Sequence, residues 1–212
     1  MYYTLTSLGL PSSSIKVHML SKASSVFQPS EKAAMESYGA TRFIFLDQGS
    51  RGGPPLVSPF TNTTSPIPGE DSDSGIQSVR TLILDHHESD EFPSGALAVS
   101  ACRSPPIATS SLLTYIVCEP LHESIRTECA IPALLGVFGD LGPSEVKWGQ
   151  KPWPGYLGEV VKQITKKAIS EAVSAMNAPR RTADFKGNRD TILLLTVYFI
   201  FPNYEKKRKY SV

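Results

Sequence analysis

The sequence predicts an α/β fold in which a mostly parallel sheet is flanked by helices. Three short apolar runs each lead to a carboxylate at a flexible turn: residues 43–46 before Asp47, residues 81–84 before Asp85, and residues 133–138 before Asp140. The first two runs have the length of buried strands, and a helical pattern precedes the first of them. A strand predicted at residues 15–20, the helix after it and the strand at residues 43–46 have the spacing of a βαβ unit, which indicates parallel strands joined by right-handed crossovers. The carboxyl ends of the parallel strands should meet at one edge.

The N-terminal quarter predicts a helix, a strand and a second helix. Residues 1–10 have the pattern of a helix that ends before the first proline, and residues 15–20 alternate as a strand does. His18 lies within this predicted strand, where a lone histidine is far more often structural than a metal ligand. Ser30 is expected to cap the second helix, and Gly39 is expected to close it.

After the strand at residues 81–84 the chain predicts one more strand and several helices. The strand spans residues 96–101, and a helix follows from about residue 107 to 118. Pro132 marks the first turn of the next helix, because proline is favoured there. Residues 155–177 repeat apolar side chains at three- and four-residue spacing and predict one long helix.

Composition divides the chain into four parts. Residues 1–57 and 79–185 should form the α/β domain. Residues 58–78 are rich in Ser, Thr, Pro, Gly and Asp, lack any periodicity and predict a flexible insertion. Residues 186–212 form an atypical tail that combines a β-prone run with a cluster of basic residues.

Charge and cysteine usage limit the possible function classes. The net charge of +1 argues against a general electrostatic preference for nucleic acid. Three cysteines, an odd number without the spacing of a metal site, fit a reducing compartment. The N-terminus lacks the pattern of a secretory signal, and the longest apolar run, residues 192–201, is too short to span a bilayer. These observations predict an intracellular protein, cytoplasmic or nuclear, without a membrane partner.

The strand at residues 81–84 leads directly into Asp85, His86 and His87. A carboxylate and two imidazoles at the carboxyl edge of a sheet suit a divalent transition metal. The simpler alternative is a strand that runs into a polar turn, and a lone histidine pair would favour that alternative. Asp47 and Asp140, which also follow apolar elements, shift the balance towards a metal site.

These residues, in this order, resemble the motifs of the DHH phosphoesterase superfamily. The superfamily includes RecJ-type exonucleases, oligonucleotide and cyclic-dinucleotide phosphodiesterases, and manganese-dependent pyrophosphatases and polyphosphatases. The motifs match in sequence order: Asp47 the second, Asp85-His86-His87 the third, and Asp140 the fourth. Residues 105–113 are similar to the helix that follows the signature in RecJ-like members. The resemblance covers roughly residues 1–185.

The resemblance implies hydrolysis of phosphodiester bonds in nucleic acid or small nucleotides, with Mn²⁺ or Mg²⁺ as the metal and up to two ions in the family. Asp47 would bridge the ions, and His86 and Asp140 would complete the protein ligands of one of them. His87 would be catalytic, facing the phosphate or helping to hold the site. Asp85 would act either as a ligand or as a partner that orients an imidazole.

The chain also departs from the family pattern. Relatives open with an Asp-x-Asp motif that supplies ligands to both ions, and nothing before Asp47 fits it. The second, substrate-gripping domain has no counterpart either. We therefore expect a DHH-like domain truncated at the N-terminus, one partial ion site and poor turnover. Two alternatives stay open: a hydrolase similar to pyrophosphatases or exopolyphosphatases, and an inactive remnant that binds a metal, a nucleotide or a partner protein.

Overall fold

The computed structural model describes residues 1–20, 23–58, 60–61, 76–77, 79–103, 106 and 108–177. The chain divides into two compact units, Met1–Thr114 and Tyr115–Val212. Among the helices of the described residues, none has the length and apolar character needed to cross a membrane.

The first unit is built on a three-stranded parallel sheet. Its elements are α1 (Tyr2–Ser7), a 3₁₀ turn (Ser12–Ser14), α2 (Pro29–Glu36), β1 (Arg42–Leu46), β2 (Phe60–Thr61), β3 (Ile76–Gln77), β4 (Arg80–Asp85) and β5 (Ala96–Ser100). The strand order is β1-β4-β5, and both neighbouring pairs are parallel. The predicted α/β class with a parallel sheet is therefore confirmed.

Strand β4 is the centre of the sheet and of the hydrophobic core. Ile83 and Leu84 are fully buried, as expected for a continuous apolar run between two parallel neighbours. Ile83 belongs to one cluster of buried side chains, whose other members come from loops, α2 and β1: Val26, Met35, Phe45, Leu56 and Val57. The core thus fixes the strand that carries the candidate site.

The register of the sheet brings the carboxyl ends of the three strands to one edge. Leu46 pairs with Leu84, and Asp85 pairs with Ser100. Just beyond β1, the N–H of Asp47 donates a hydrogen bond of 3.0 Å to the carbonyl of Leu84. Asp47 and Asp85 therefore lie at the same edge, as the sequence predicts.

Residues 15–20 do not form a strand, and the prediction of a strand there is wrong. The side chains of Val17 and Met19 are exposed. His18 instead hydrogen-bonds to the Tyr38 hydroxyl at 2.8 Å and to the Glu31 carboxylate of α2 at 2.6 Å. The alternation in the sequence thus reflects a segment that lies against α2, outside the sheet.

Two helix boundaries in the first unit also differ from the prediction. Helix α2 begins at Pro29, so Ser30 lies inside it and Gln28 occupies the cap position. Proline is favoured at the first helical residue because its fixed φ and missing N–H cost nothing there. Helix α3 (Ser110–Cys118) begins about three residues later than predicted.

Part of the predicted insertion at residues 58–78 is described. Strands β2 and β3 form an antiparallel pair in which Phe60 pairs with Gln77. The other residues of this segment, apart from Ser58, lie outside the described part of the chain. The flexibility of the insertion therefore stays a prediction.

The second unit is helical. The division between the units falls within α3, which is followed by a 3₁₀ turn (Glu119–Leu121), α4 (Ile125–Glu128), α5 (Ala130–Asp140), α6 (Gly155–Ile164) and α7 (Lys166–Asn177). Helix α5 packs against both α6 and α7. It ends at Asp140, as predicted.

The long helix predicted for residues 155–177 is two helices. The chain breaks at Thr165, which has a φ of +79° and separates α6 from α7. The apolar stripe continues on both sides of the break, with Leu157 and Val160 buried in α6 and Ile169 buried in α7. Because the periodicity is preserved, the pattern alone does not reveal the break. The predicted tail, residues 186–212, lies outside the described residues.

Candidate metal centre

Two loops form the carboxyl edge of the sheet, and hydrogen bonds join them. The first loop, residues 47–53, follows β1, and the second loop, residues 86–95, follows β4. The N–H of Ser94 donates to the carbonyl of Gly53 at 2.9 Å. The N–H of Ser50 donates to Oδ2 of Asp85 at 3.1 Å. The side chains at the ends of the two strands are therefore held in one frame.

Asp85 is a buried carboxylate surrounded by hydrogen-bond donors. Its side chain is 1% exposed. Oδ1 accepts from the N–H of His86 at 2.8 Å and from Nδ1 of His87 at 2.7 Å. Burial by itself would raise the pKa of the Asp85 carboxyl, but hydrogen bonds from Ser50 and His87 outweigh it and hold this pKa below its usual value. Asp85 is therefore ionised at neutral pH.

The ionised Asp85 fixes the position of one proton on the His87 ring. Because a carboxylate only accepts hydrogen bonds, Nδ1 of His87 carries the proton and donates it to Oδ1. In the neutral ring the lone pair then lies on Nε2, which is the candidate ligand atom. Carboxylates orient metal-binding imidazoles in this way and raise their basicity.

Asp47 presents its carboxylate from an unusual backbone conformation. Its φ is +62°, a region that few residues other than glycine adopt and that aspartate tolerates better than most. Its side chain is 62% exposed, and Oδ1 lies 3.3 Å from Nε2 of His86. The same oxygen accepts a hydrogen bond of 2.9 Å from the hydroxyl of Ser110. Backbone strain of this kind is concentrated at functional sites.

Asp47, His86 and His87 each offer one ligand atom, and these atoms lie within 4.8 Å of one another. Two atoms bound to one ion at about 2.1 Å lie roughly 3.0–3.4 Å apart at octahedral or tetrahedral angles. The 3.3 Å between Asp47 and His86 falls in that range. One carboxylate and two imidazoles also match the chemistry of manganese, iron or zinc. The types of ligand and the spacing of Asp47 and His86 are therefore compatible with a divalent transition metal.

The structure brings together three of the five predicted site residues as potential ligands. The convergence of Asp47 and His86 is observed, and His87, predicted to face the phosphate or to help hold the site, belongs to the same group. Asp85, predicted as a ligand or as an orienting partner, occupies the orienting position. Asp140 ends α5 in the second unit, and its part in the site stays a prediction.

Sequence reasoning missed two residues that build the site. Ser50 holds Asp85 through its backbone N–H, and Ser110 holds Asp47 through its hydroxyl across 63 residues of sequence. A backbone donor leaves no signature in the side-chain pattern. Ser110 belongs to the stretch that resembles the family, but nothing in the sequence relates its hydroxyl to Asp47.

Gly49 in the first loop allows the loop to pack on the central strand. Its φ is +109°, and a β-carbon built on it would lie 3.1 Å from Cδ1 of Ile83. We expect Gly49→Ala to lower the free energy of unfolding by about 2–3 kcal/mol, from backbone strain and overpacking together. Gly39→Ala is the matched control, because Gly39 has a φ of +60° and open space around its missing β-carbon. Urea unfolding of both variants checks this, and an equal loss in both would refute the packing component.

Comparison of the chain with protein-family models, with curated proteins and with solved structures found no match. The resemblance to the DHH phosphoesterases stays a prediction.

Proposed function

We propose that Asp47, His86 and His87 bind one divalent transition-metal ion, with manganese as the first choice. We further propose that the protein is a metal-dependent phosphoesterase of the DHH type, acting on phosphodiester bonds in nucleic acid or small nucleotides. One observation carries the proposal. One ligand atom each of Asp47, which follows β1, and of His86 and His87, which follow β4, lie within 4.8 Å of one another. The order of the motifs along the sequence supports the choice of family.

Each side chain of the group has a distinct part in the proposed chemistry. Asp47 supplies the negative charge that favours a cation at this edge. His86 and His87 supply neutral nitrogen donors, and Asp85 keeps the His87 ring in the tautomer and orientation that bind. When bound, a divalent ion would supply Lewis acidity towards a phosphoryl group and would lower the pKa of water.

Arg51 is a candidate for binding a phosphorylated substrate. It belongs to the first loop, four residues after Asp47, and its guanidinium lies 4.7 Å from the centre of the Phe27 ring. Stacking on an aromatic ring restrains the planar guanidinium, and a restrained guanidinium is a good donor to phosphate oxygens. The loop that carries Asp47 therefore also carries a cation suited to an anionic substrate.

A second candidate is a protein that binds metal without turnover. Among the described residues, the potential ligands form one three-residue group, which is sufficient for one ion. Hydrolysis of the two-ion kind needs a second set of ligands to neutralise the attacking and leaving oxygens. One ion alone favours slow hydrolysis or binding only.

The experiment is a Mn²⁺ titration of the purified full chain by isothermal calorimetry, with His86→Ala and His18→Gln as variants. We expect one ion per chain. His86→Ala should weaken binding by more than the roughly 10–100-fold that loss of an outer-shell partner costs. His18→Gln should bind as the wild type does, because both nitrogens of His18 are held by Tyr38 and Glu31.

Turnover is then measured with a dinucleotide and with pyrophosphate in the presence of Mn²⁺. Hydrolysis of the dinucleotide that His86→Ala abolishes supports the phosphodiesterase. Hydrolysis of pyrophosphate alone favours the pyrophosphatase alternative, and stoichiometric binding without hydrolysis favours the second candidate. A wild-type chain that does not bind Mn²⁺, Zn²⁺ or Fe²⁺ would disprove the metal centre.

A further inference from the structure

We infer that Ser110 is a positioning residue of the metal centre, whose hydroxyl holds the Asp47 carboxylate in the orientation that binds the ion. This inference rests on the proposed metal site. It does not depend on turnover or on the identity of the substrate.

The contact joins a buried hydroxyl to an exposed carboxylate. Ser110 is 5% exposed, and its Oγ donates to Oδ1 of Asp47 at 2.9 Å. The side chain of Asp47 is 62% exposed. An exposed aspartate without such a contact samples several rotamers, and ordering them on binding weakens affinity. A hydrogen bond from a fixed donor removes this cost before the ion arrives.

The hydroxyl of Ser110 is not the cap of helix α3. The N–H of Leu112 bonds instead to Oγ1 of Thr109, at 3.1 Å, which is the contact of an N-cap residue with the first turn. Thr109 therefore stabilises the helix end, whereas Ser110, the first residue of the helix, directs its hydroxyl to Asp47. Two adjacent hydroxyl groups thus have separable tasks.

The position of the hydrogen bond suits metal binding. Oδ1 of Asp47 faces both Oγ of Ser110 and Nε2 of His86. A hydroxyl donates only a hydrogen bond to Oδ1 and leaves Asp47 its second oxygen, since a carboxylate offers about four acceptor positions. Ser110 therefore restrains the carboxylate beside the imidazole and leaves an oxygen available for an ion.

The test compares Ser110→Ala, Ser110→Thr and Thr109→Ala with the wild type. For each, Mn²⁺ affinity is measured by calorimetry, and the midpoint of urea unfolding is measured with the metal chelated. We expect Ser110→Ala to bind Mn²⁺ about 10–100-fold more weakly with little change in the urea midpoint. Ser110→Thr should recover most of the affinity. Thr109→Ala should lower the urea midpoint and leave the affinity within about twofold.

A spectroscopic signature separates positioning from general loosening of the fold. Co²⁺ at saturation should give a different visible spectrum with Ser110→Ala than with Thr109→Ala, because only the former changes the Asp47 ligand. Wild-type affinity in Ser110→Ala, or loss of affinity in step with stability in both alanine variants, would overturn the inference and leave the metal site standing. Absence of binding by the wild type would remove the metal site itself, and this inference with it.

Discussion

Replacing Ile83 with alanine is expected to lower the free energy of unfolding by about 2–5 kcal/mol. Ile83 is fully buried in the central strand β4. It packs in the cluster that contains Met35, Phe45 and Leu56. Because strands lie on both sides of β4, the sheet has little freedom to close the cavity, and the upper part of the range is expected.

A graded series distinguishes cavity formation from a general effect of mutating the sheet. Ile83→Val removes one methyl group and should cost about 0.5–1.5 kcal/mol. Leu97→Ala on β5 should stay within about 0.5 kcal/mol of the wild type, because Leu97 is 74% exposed. Urea unfolding followed by circular dichroism measures all three. A loss for Leu97→Ala as large as that for Ile83→Ala would contradict the placement of the core.

Ile83→Ala should also affect the candidate site. Ile83 supports Gly49, whose missing β-carbon would lie 3.1 Å from Cδ1. Gly49 precedes Ser50, the backbone donor to Asp85. A cavity under this loop loosens the donor, so Ile83→Ala should also weaken Mn²⁺ binding in the protein that remains folded. The core and the proposed metal centre are thereby linked through one short loop.

The strands of the sheet could be predicted because their apolar runs are continuous. In a parallel sheet the central strand is buried on both faces, so β4 reads as an uninterrupted apolar run that ends in Asp85. The failures occur where a local pattern has two structural readings. In residues 15–20, apolar and polar side chains alternate, although this segment lies outside the sheet. Thr165 separates two helices that share one apolar stripe.

The site could be predicted in part, for a topological reason. Parallel register aligns strand ends, so residues that follow β1 and β4 must meet, and Asp47 and His86 do. Asp85 and His87 are joined by a hydrogen bond of 2.7 Å, which no spacing rule specifies. Ser110 reaches the site from another element through tertiary packing. Such contacts are properties of the folded chain.

Substitution of Asp85 should be the most damaging single change at the site. The polar contacts of its carboxylate are all with donors: the N–H groups of Ser50, His86 and His87, and Nδ1 of His87. Asp85→Ala leaves the partly buried donors without this acceptor and should cost about 3 kcal/mol. Asp85→Asn has the same shape, but its amide nitrogen must face a donor. We therefore expect it to cost about 2 kcal/mol, measured by urea unfolding at pH 7 with the metal chelated.

Metal affinity is a second, independent measurement of the effect of replacing Asp85. Without Asp85 the His87 ring loses the partner that fixes its tautomer and orientation, so Mn²⁺ should bind about 10–100-fold more weakly. Glu91→Gln is a suitable control, because Glu91 is an exposed carboxylate of the same second loop and lies outside the three-residue group. Unchanged affinity in Asp85→Ala would show that the hydrogen bond between Asp85 and Nδ1 of His87 does not support metal binding.

The pH dependence of the free energy of unfolding shows whether ionised Asp85 stabilises the fold. The folded pKa of this carboxyl lies below its usual value, because hydrogen bonds from Ser50 and His87 outweigh the opposing effect of burial. The unfolded chain has the ordinary aspartate pKa of about 3.9. The stabilisation by ionised Asp85 is therefore fully present above that pH and is lost as the pH falls through the folded pKa.

The difference in unfolding free energy between wild type and Asp85→Asn should accordingly shrink as the pH falls below about 4. A difference that instead grew as the pH fell below about 4 would mean that Asp85 is protonated in the folded protein. Nδ1 of His87 would then have lost its charged partner, and the orientation of the ring on which the proposed metal centre depends would need another cause.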